Sequence, residues 1–237
     1  MDSSFRFKRF SVSNERSALK VGTDAVLLGA AMTLRPEDRR LLDIGTGTGV
    51  IALMAAQRLS ELASADFRID AIDIDAPSAQ EASGNFGASP WAEHLSCSHV
   101  ALQRFSGDAP YDHIFSNPPY FDSSLRNPDE RESTARHTDA LSYRDICSYA
   151  DANLAQGGVL SLILPADCEK MLVRTAASFG LFPFRLLDIR TTPRKPVKRL
   201  IVEFSRTKTL PEREELVLQD GNSRSEAYAF LTKDFYL

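Results

Sequence analysis

The chain has 237 residues, 43% hydrophobic and 25% charged, with a formal net charge of −4 and a sequence pI of about 5.6. That length and apolar share suit one large core, so a single domain spanning 1–237 is expected, and no stretch is long and apolar enough to cross a bilayer. Cys97, Cys147 and Cys168 are odd in number without a C-x-x-C pair, and the four histidines lack metal-ligand spacing, so disulfides and zinc are excluded in favour of buried thiols in a reducing cytoplasm.

The N-terminus, Met1-Asp2-Ser3-Ser4-Phe5-Arg6, lacks the apolar core of a signal peptide, which agrees with a cytoplasmic location. Phe5 to Val12 alternates aromatic and polar residues like a short strand or hairpin arm, and Val21 to Ala31 reads as a capped apolar helix. From Leu41 a short apolar strand leads into Gly45-Thr46-Gly47-Thr48-Gly49 and then a helix to about Arg58. Glycines at alternate positions let the backbone pass close to a ligand, and the helix N-terminus behind them offers N–H groups to a carboxylate or phosphate. Asp43, just before the turn, is a candidate acceptor for an ammonium, so the loop suits an amino-acid-shaped ligand.

The next strand, Phe67 to Asp75, ends in carboxylates. In a doubly wound sheet an acidic residue at that strand end holds both ribose hydroxyls of a nucleoside cofactor, and Asp73 is expected in that role with Ile74 under the adenine. A dinucleotide loop would space its glycines as G-x-G-x-x-G. Here Gly45, Gly47 and Gly49 are followed by Val50, which favours S-adenosylmethionine over NAD.

A helix is expected from Ala76 to Phe86, a strand from Leu95 to Leu102, and another from Tyr111 to Ser116 that delivers Asn117-Pro118-Pro119-Tyr120. Pro118 and Pro119 have no N–H and a fixed φ, so the carbonyls around them stay out of any helix and remain free to accept. The Asn117 side chain adds an acceptor and Tyr120 a flat face for stacking. Two acceptors beside a ring match the exocyclic amine of a base, whose lone pair is tied up in conjugation. Hydrogen bonds accepted from its two N–H groups favour a pyramidal, more nucleophilic nitrogen.

Phe121 to Asp139 is polar and Pro-interrupted, which predicts a lid carrying Arg126, Arg131, Arg136 and His137. A helix from Leu141 to Ala155 ending at Gly157-Gly158, a strand from Val159 to Leu164, a helix from Ala166 to Phe179, and strands at Leu181–Ile189 and Leu200–Ser205 complete the chain. Strand and helix alternate throughout, which predicts a mostly parallel sheet covered on both faces.

The acidic average conceals two basic clusters. Arg185, Arg190, Arg194, Lys195, Lys198 and Arg199 crowd one segment, while Arg6, Lys8, Arg9, Arg16 and Lys20 crowd the N-terminus. Together they read as a local phosphate footprint, with Arg194, Lys195, Lys198 and Arg199 as candidate RNA contacts.

The glycine loop, the acidic strand end at Asp73 and Asn117-Pro118-Pro119-Tyr120 together resemble the class I S-adenosylmethionine-dependent methyltransferases that modify amino nitrogens. Phe7-Lys8-Arg9-Phe10 with Lys20-Val21-Gly22-Thr23-Asp24, then Ala135-Arg136-His137-Thr138, and the tail Leu231 to Leu237 resemble the bacterial family that methylates N6 of the adenosine beside the anticodon of valine tRNA. The resemblance runs nearly end to end. It implies a Rossmann-like, mostly parallel seven-stranded sheet with residues 1–35 packed on the cofactor side, S-adenosylmethionine as cofactor, tRNA as partner, and no metal, membrane or obligate protein partner. Many relatives carry an acidic residue at the cofactor adenine amine, where this chain has Ala101 within His99-Val100-Ala101-Leu102-Gln103, so either Gln103 or backbone carries that contact or adenine recognition is weaker.

The implied reaction is an in-line displacement: a flipped adenine stacks on Tyr120, its amine donates to Asn117 and the Pro118 carbonyl, and its nitrogen attacks the sulfonium methyl. The same tetrapeptide also serves enzymes acting on a release-factor glutamine amide or on other DNA and RNA amines. The basic segment at Arg194 to Arg199 favours RNA over a protein loop.

Overall fold

The computed structural model describes residues 4–17, 20–62, 66–119 and 141–237. Tyr120, the expected lid at 121–139, and the Ala135-Arg136-His137-Thr138 segment lie outside the described residues.

A hairpin of β1 (Ser4–Arg6) and β2 (Ser11–Ser13) precedes α1 (Thr23–Ala31). Gly22 occupies the N-cap position in extended geometry with no side-chain capping bond, so the expected cap is absent and burial from Ala25 to Ala31 holds the helix instead. There follow β3 (Arg40–Ile44), α2 (Val50–Glu61), β4 (Arg68–Asp73), α3 (Ala76–Gly87), β5 (Leu95–His99) and β6 (Tyr111–Ser116). The second half supplies α4 (Tyr143–Asn153), β7 (Leu154–Pro165), α5 (Glu169–Ala177), β8 (Phe182–Arg190), β9 (Arg199–Ser205), β10 (Glu212–Val217), the short hairpin β11 (Gln219–Asp220) and β12 (Ser223–Arg224), and α6 (Glu226–Leu231). No helix among the described residues is long and apolar enough to cross a membrane.

The main sheet has eight strands in the order β10-β8-β9-β7-β6-β3-β4-β5, all pairings parallel except those of β9 with β7 and β8. The strand beyond the expected seven is β10, whose Glu-Arg-Glu-Glu-Leu-Val sequence has no strand-like apolar alternation. It holds the sheet edge through ion pairs: Arg185 with Glu214 at 2.8 Å, Arg190 with Glu215 at 2.6 Å, and Arg213 with Asp188 at 2.8 Å. Two members of the basic cluster are thus committed to the fold. Strand β7 begins at Leu154, before the expected stop at Gly157-Gly158; between the pairs Tyr111–Leu154 and His113–Val159 the extra residues bulge around Gly157 at φ +79°.

Alternate side chains of each core strand go to opposite faces. Leu41, Phe115, Ile163 and Ile201 join α1, α2 and α3 in one apolar layer, while Leu42, Ile114, Leu162 and Leu200 join α4 and α5 in the other. Both faces are therefore covered, as the run of alternating elements predicts.

The two chain ends meet. The Lys8 N–H donates to the Phe235 carbonyl at 2.9 Å, and Phe7 stacks on Phe10 and on Tyr236 with ring centroids 4.5 and 6.2 Å apart. The Phe7-Lys8-Arg9-Phe10 and Leu231 to Leu237 segments, over 200 residues apart, form one aromatic cluster that closes on Trp91 through Phe10.

Candidate active site

The chain leaves β3 for β4 and β5, then returns to the other side of β3 as β6, so strand order reverses between β3 and β6 and a crevice opens at their C-terminal ends. Ile44 pairs with Ser116 on one side and Ile72 on the other, so the loops after β3, β4 and β6 leave the sheet side by side. The Ser116 hydroxyl donates to the Ile44 carbonyl at 2.7 Å and ties two of them together.

The glycine loop is built by its own backbone. The N–H groups of Gly45 and Thr46 both donate to the Ile72 carbonyl, at 2.9 and 3.0 Å. Gly47, at φ +57°, turns its N–H onto Asp73 Oδ2 at 2.8 Å. Gly49, at φ +83°, packs where a Cβ would stand 2.5 Å from the Phe86 ring, so both backbone conformation and space require glycine there.

Three carboxylates near the end of β4 divide their work. Asp70 pairs with Arg40 at 3.1 Å and accepts from Ser96 and Tyr111. Asp75 caps α3, accepting from the Ser78 N–H and hydroxyl, and these bonds hold its pKa down. Asp73 is left at the strand end, oriented by the Gly47 and Asp75 N–H groups at 2.8 Å each, with lone pairs remaining on both oxygens. Burial raises its pKa and those N–H groups offset part of the rise.

Gly45, Gly47, Asp73 and Ile74 line a cleft of about 200 Å³ together with Val100, Ala101, Leu102 and Gln103, the Val100 N–H donating to the Asp73 carbonyl at 2.9 Å. An oriented carboxylate beside an apolar slot and a close glycine backbone fits the ribose, adenine and amino-acid parts of S-adenosylmethionine. Asp43 and Gly49 do not line it. Asp43 is fully buried; burial pushes its pKa up to about 7, while the Thr46 hydroxyl donates to its Oδ2 at 2.7 Å and lowers it. This carboxylate supports the loop from beneath, at the start of α2, and faces no open space for an ammonium.

Asn117 and Pro119 line this cleft and also a second, larger one of about 930 Å³ that Pro118 joins. Lys20, Lys198, Arg199 and Arg224 line the second cleft against one carboxylate, Asp24, which pairs with Arg199 at 2.8 Å. Of the four candidate RNA contacts, Lys198 and Arg199 are therefore at the cleft, while Arg194 and Lys195 are exposed in the turn between β8 and β9. In the N-terminal cluster Arg9 pairs with Glu61 at 3.0 Å and the Lys8 ammonium donates to the Lys233 carbonyl. Lys20 and Gly22 to Asp24 supply one wall of the second cleft and Tyr236 another.

Sequence reasoning did not find Ser17, which lines the cofactor-sized cleft from the N-terminal segment. Its N–H donates to Glu81 Oε2 at 2.8 Å, while Glu81 Oε1 accepts from the N–H groups of Glu15 and Arg16 at 2.7 and 2.9 Å. Asn85 adds bonds to both the N–H and the carbonyl of Ser13. Helix α3 thus straps residues 13–17 beside the cleft. The only sequence trace is Glu81 and Asn85 one helical turn apart on an otherwise small-residue helix.

Residues 16–173 match the family model described as methyltransferase small domain. Curated tRNA1(Val) (adenine(37)-N6)-methyltransferases are similar along nearly the whole chain: that of Flavobacterium psychrophilum is 39% identical over 98% of this chain and 99% of its own, and that of Parabacteroides distasonis 41% over 98% and 97%. Among solved structures, a protein of Agrobacterium tumefaciens described as a predicted O-methyltransferase superposes with TM-score 0.65 at 18% identity, covering 90% of this chain and 96% of that one. A methyltransferase from Pyrococcus furiosus gives 0.58 at 19%, covering 82% and 89%. These structural likenesses speak to the class I methyltransferase fold alone.

Proposed function

The chain belongs to the family of tRNA1(Val) (adenine(37)-N6)-methyltransferases, and we propose that it methylates the exocyclic N6 amine of adenosine 37, beside the anticodon, in valine tRNA. The observation that carries this reading is that Asn117 and Pro119 form a shared wall between the cofactor-sized cleft and the basic cleft. An amine held on that wall from the basic side faces the methyl donor on the other.

S-adenosylmethionine, when bound, supplies a methyl group made electrophilic by its sulfonium. Asp73 would accept from the ribose hydroxyls, Ile74, Val100 and Leu102 would offer apolar surface to the adenine, and Gly45 and Gly47 would hold the methionine end; all line the cleft. Ala101 and Gln103 line the cleft where many relatives place an acid, so the Gln103 amide or backbone would meet the adenine amine. The Asn117 side-chain oxygen and the Pro118 carbonyl accept from the two N–H groups of the target amine and favour the pyramidal nitrogen, an interaction that grows toward the transition state. No strong base is required, because the nitrogen loses its proton readily once it carries the methyl and a positive charge. An anticodon-loop base is already partly unstacked, which lowers the cost of extruding it below the few kcal/mol of a duplex base. Arg194, Lys195, Lys198 and Arg199 hold the RNA backbone. The cationic lining also weighs against a release-factor glutamine loop, which needs a narrow slot and little positive surface.

The test is to incubate the protein with labelled S-adenosylmethionine and tRNA from a strain lacking the activity, then digest the RNA to nucleosides. N6-methyladenosine is expected. N2-methylguanosine, or label only in protein, would overturn the substrate assignment.

A further inference from the structure

Arg224 ends β12 just before α6, and its guanidinium carbon lies 4.2 Å from the centroid of the Tyr236 ring. It forms no ion pair among the described residues. The ring beneath it is fixed from several directions. Phe5, Phe7 and Tyr228 surround Tyr236 with centroids 6.2, 6.2 and 6.4 Å away, and the Tyr228 and Tyr236 hydroxyls are 3.3 Å apart. Both chain ends therefore contribute to the seat of this one guanidinium.

Arg224, Tyr228 and Tyr236 line the same basic cleft as Asn117–Pro119, together with Lys198. The Asp24 carboxylate of that cleft is already paired with Arg199, so the charges of Arg224 and Lys198 are not cancelled there. A surface arginine normally loses much rotamer freedom on binding an anion. Resting on an aromatic face restricts that freedom beforehand, and the planar fork of N–H donors matches the two non-bridging oxygens of a phosphodiester.

We propose that Arg224 is an anchor for an RNA phosphate flanking the target adenosine, seated by Tyr236 and acting with Lys198 of the same cleft. This rests on the reading that the basic cleft receives RNA. Tyr236 is a positioning residue: its ring is engaged by Arg224 and the aromatic cluster, and it acts through the guanidinium. Such a contact orients the strand and carries no base preference.

The experiment uses the full chain and an unmodified valine tRNA transcript, with affinity measured over a series of salt concentrations and methyl transfer at saturating cofactor. Arg224→Ala should weaken binding about tenfold at moderate salt, as expected for loss of a charge-assisted contact. It should also lower the magnitude of the log affinity against log salt slope by about 0.7 to 0.9. KM for tRNA should rise with kcat and S-adenosylhomocysteine affinity unchanged. Arg224→Lys should recover the slope but only part of the affinity, Tyr236→Leu should weaken binding with the slope intact, and Tyr236→Phe should behave as the parent. An unchanged slope and KM in Arg224→Ala, against a steep slope in the parent, would overturn the anchor while leaving the function standing. Loss of cofactor affinity or of thermal stability in both Arg224 variants would also overturn it, by showing a structural role. A parent protein that binds this tRNA without salt dependence would instead bring down the RNA reading of the cleft itself.

Discussion

Glu81→Gln isolates the strap that brings Ser17 to the cofactor cleft. Glu81 is only 6% exposed, and its two oxygens collect three backbone N–H groups and the Ser13 hydroxyl. Burial alone would raise its pKa, yet the Arg16, Ser17 and Glu15 N–H groups outweigh it and hold the carboxyl below the usual glutamate range. Glutamine keeps the shape and one acceptor oxygen. Its least costly orientation retains the Glu15 and Arg16 bonds and turns an NH2 toward the Ser17 N–H, removing one charge-assisted bond worth about 1.5–3 kcal/mol. If that energy is what keeps the strap docked, cofactor affinity falls by about ten- to a hundredfold. Calorimetry with S-adenosylhomocysteine reads this directly, and tRNA binding to the cofactor-free protein serves as the control that should not move. Unchanged cofactor affinity in both Glu81→Gln and Glu81→Ala, in proteins that remain folded, would refute the role given to the strap.

Asp73→Ala should remove two charge-assisted bonds to the ribose, about 1.5–3 kcal/mol each, and also release the Gly47 and Asp75 N–H groups; calorimetry should find cofactor binding nearly lost, and unchanged affinity would remove Asp73 from the site. Asn117→Ala should lower single-turnover methyl transfer by about a hundredfold while leaving cofactor affinity close to that of the parent, by analogy with other preorganised polar contacts to a transition state; a normal rate would reduce Asn117-Pro118-Pro119 to a turn. His113 is buried with its Nε2 2.7 Å from the Ser161 hydroxyl, which in turn donates to Glu203 at 2.7 Å, and burial pulls its pKa down to about 4 despite the nearby Glu203. The unfolded chain therefore binds a proton on this histidine first, so stability should decline by about 3 kcal/mol as pH falls from about 6.5 to 4. Urea titrations at pH 7 and 5 should show the drop, and a His113→Gln protein should lose much of that pH dependence.

The alternating pattern from Leu41 onward, the carboxylates closing the strand at Asp73 and the Pro-stiffened loop after Ser116 were sufficient by themselves to announce a doubly wound sheet and a nucleoside cofactor. Each is local: a strand, a turn and a helix start are written within about a dozen consecutive residues, where period and turn chemistry act directly. What the tertiary structure decided was the fate of charge. Arg185 and Arg190, indistinguishable in sequence from Arg194 and Lys195, are spent on an edge strand of glutamates that has no apolar period to announce it, whereas Arg224, isolated in sequence, stands uncancelled in the cleft. Among Asp43, Asp70, Asp73 and Asp75 only geometry shows which carboxylate is buried, which is paired, which caps a helix and which stands at the strand end oriented by two N–H groups beside the glycine loop. Likewise the meeting of Phe7 with Tyr236 and of Glu81 with Ser17 joins segments that no local period connects. Beyond local caps and turns such as Asp75 with Ser78, an ionisable side chain has no preferred partner in its own neighbourhood of sequence. Its role depends on which charges and N–H groups the fold brings within a few ångströms, and that is determined only when the chain closes on itself.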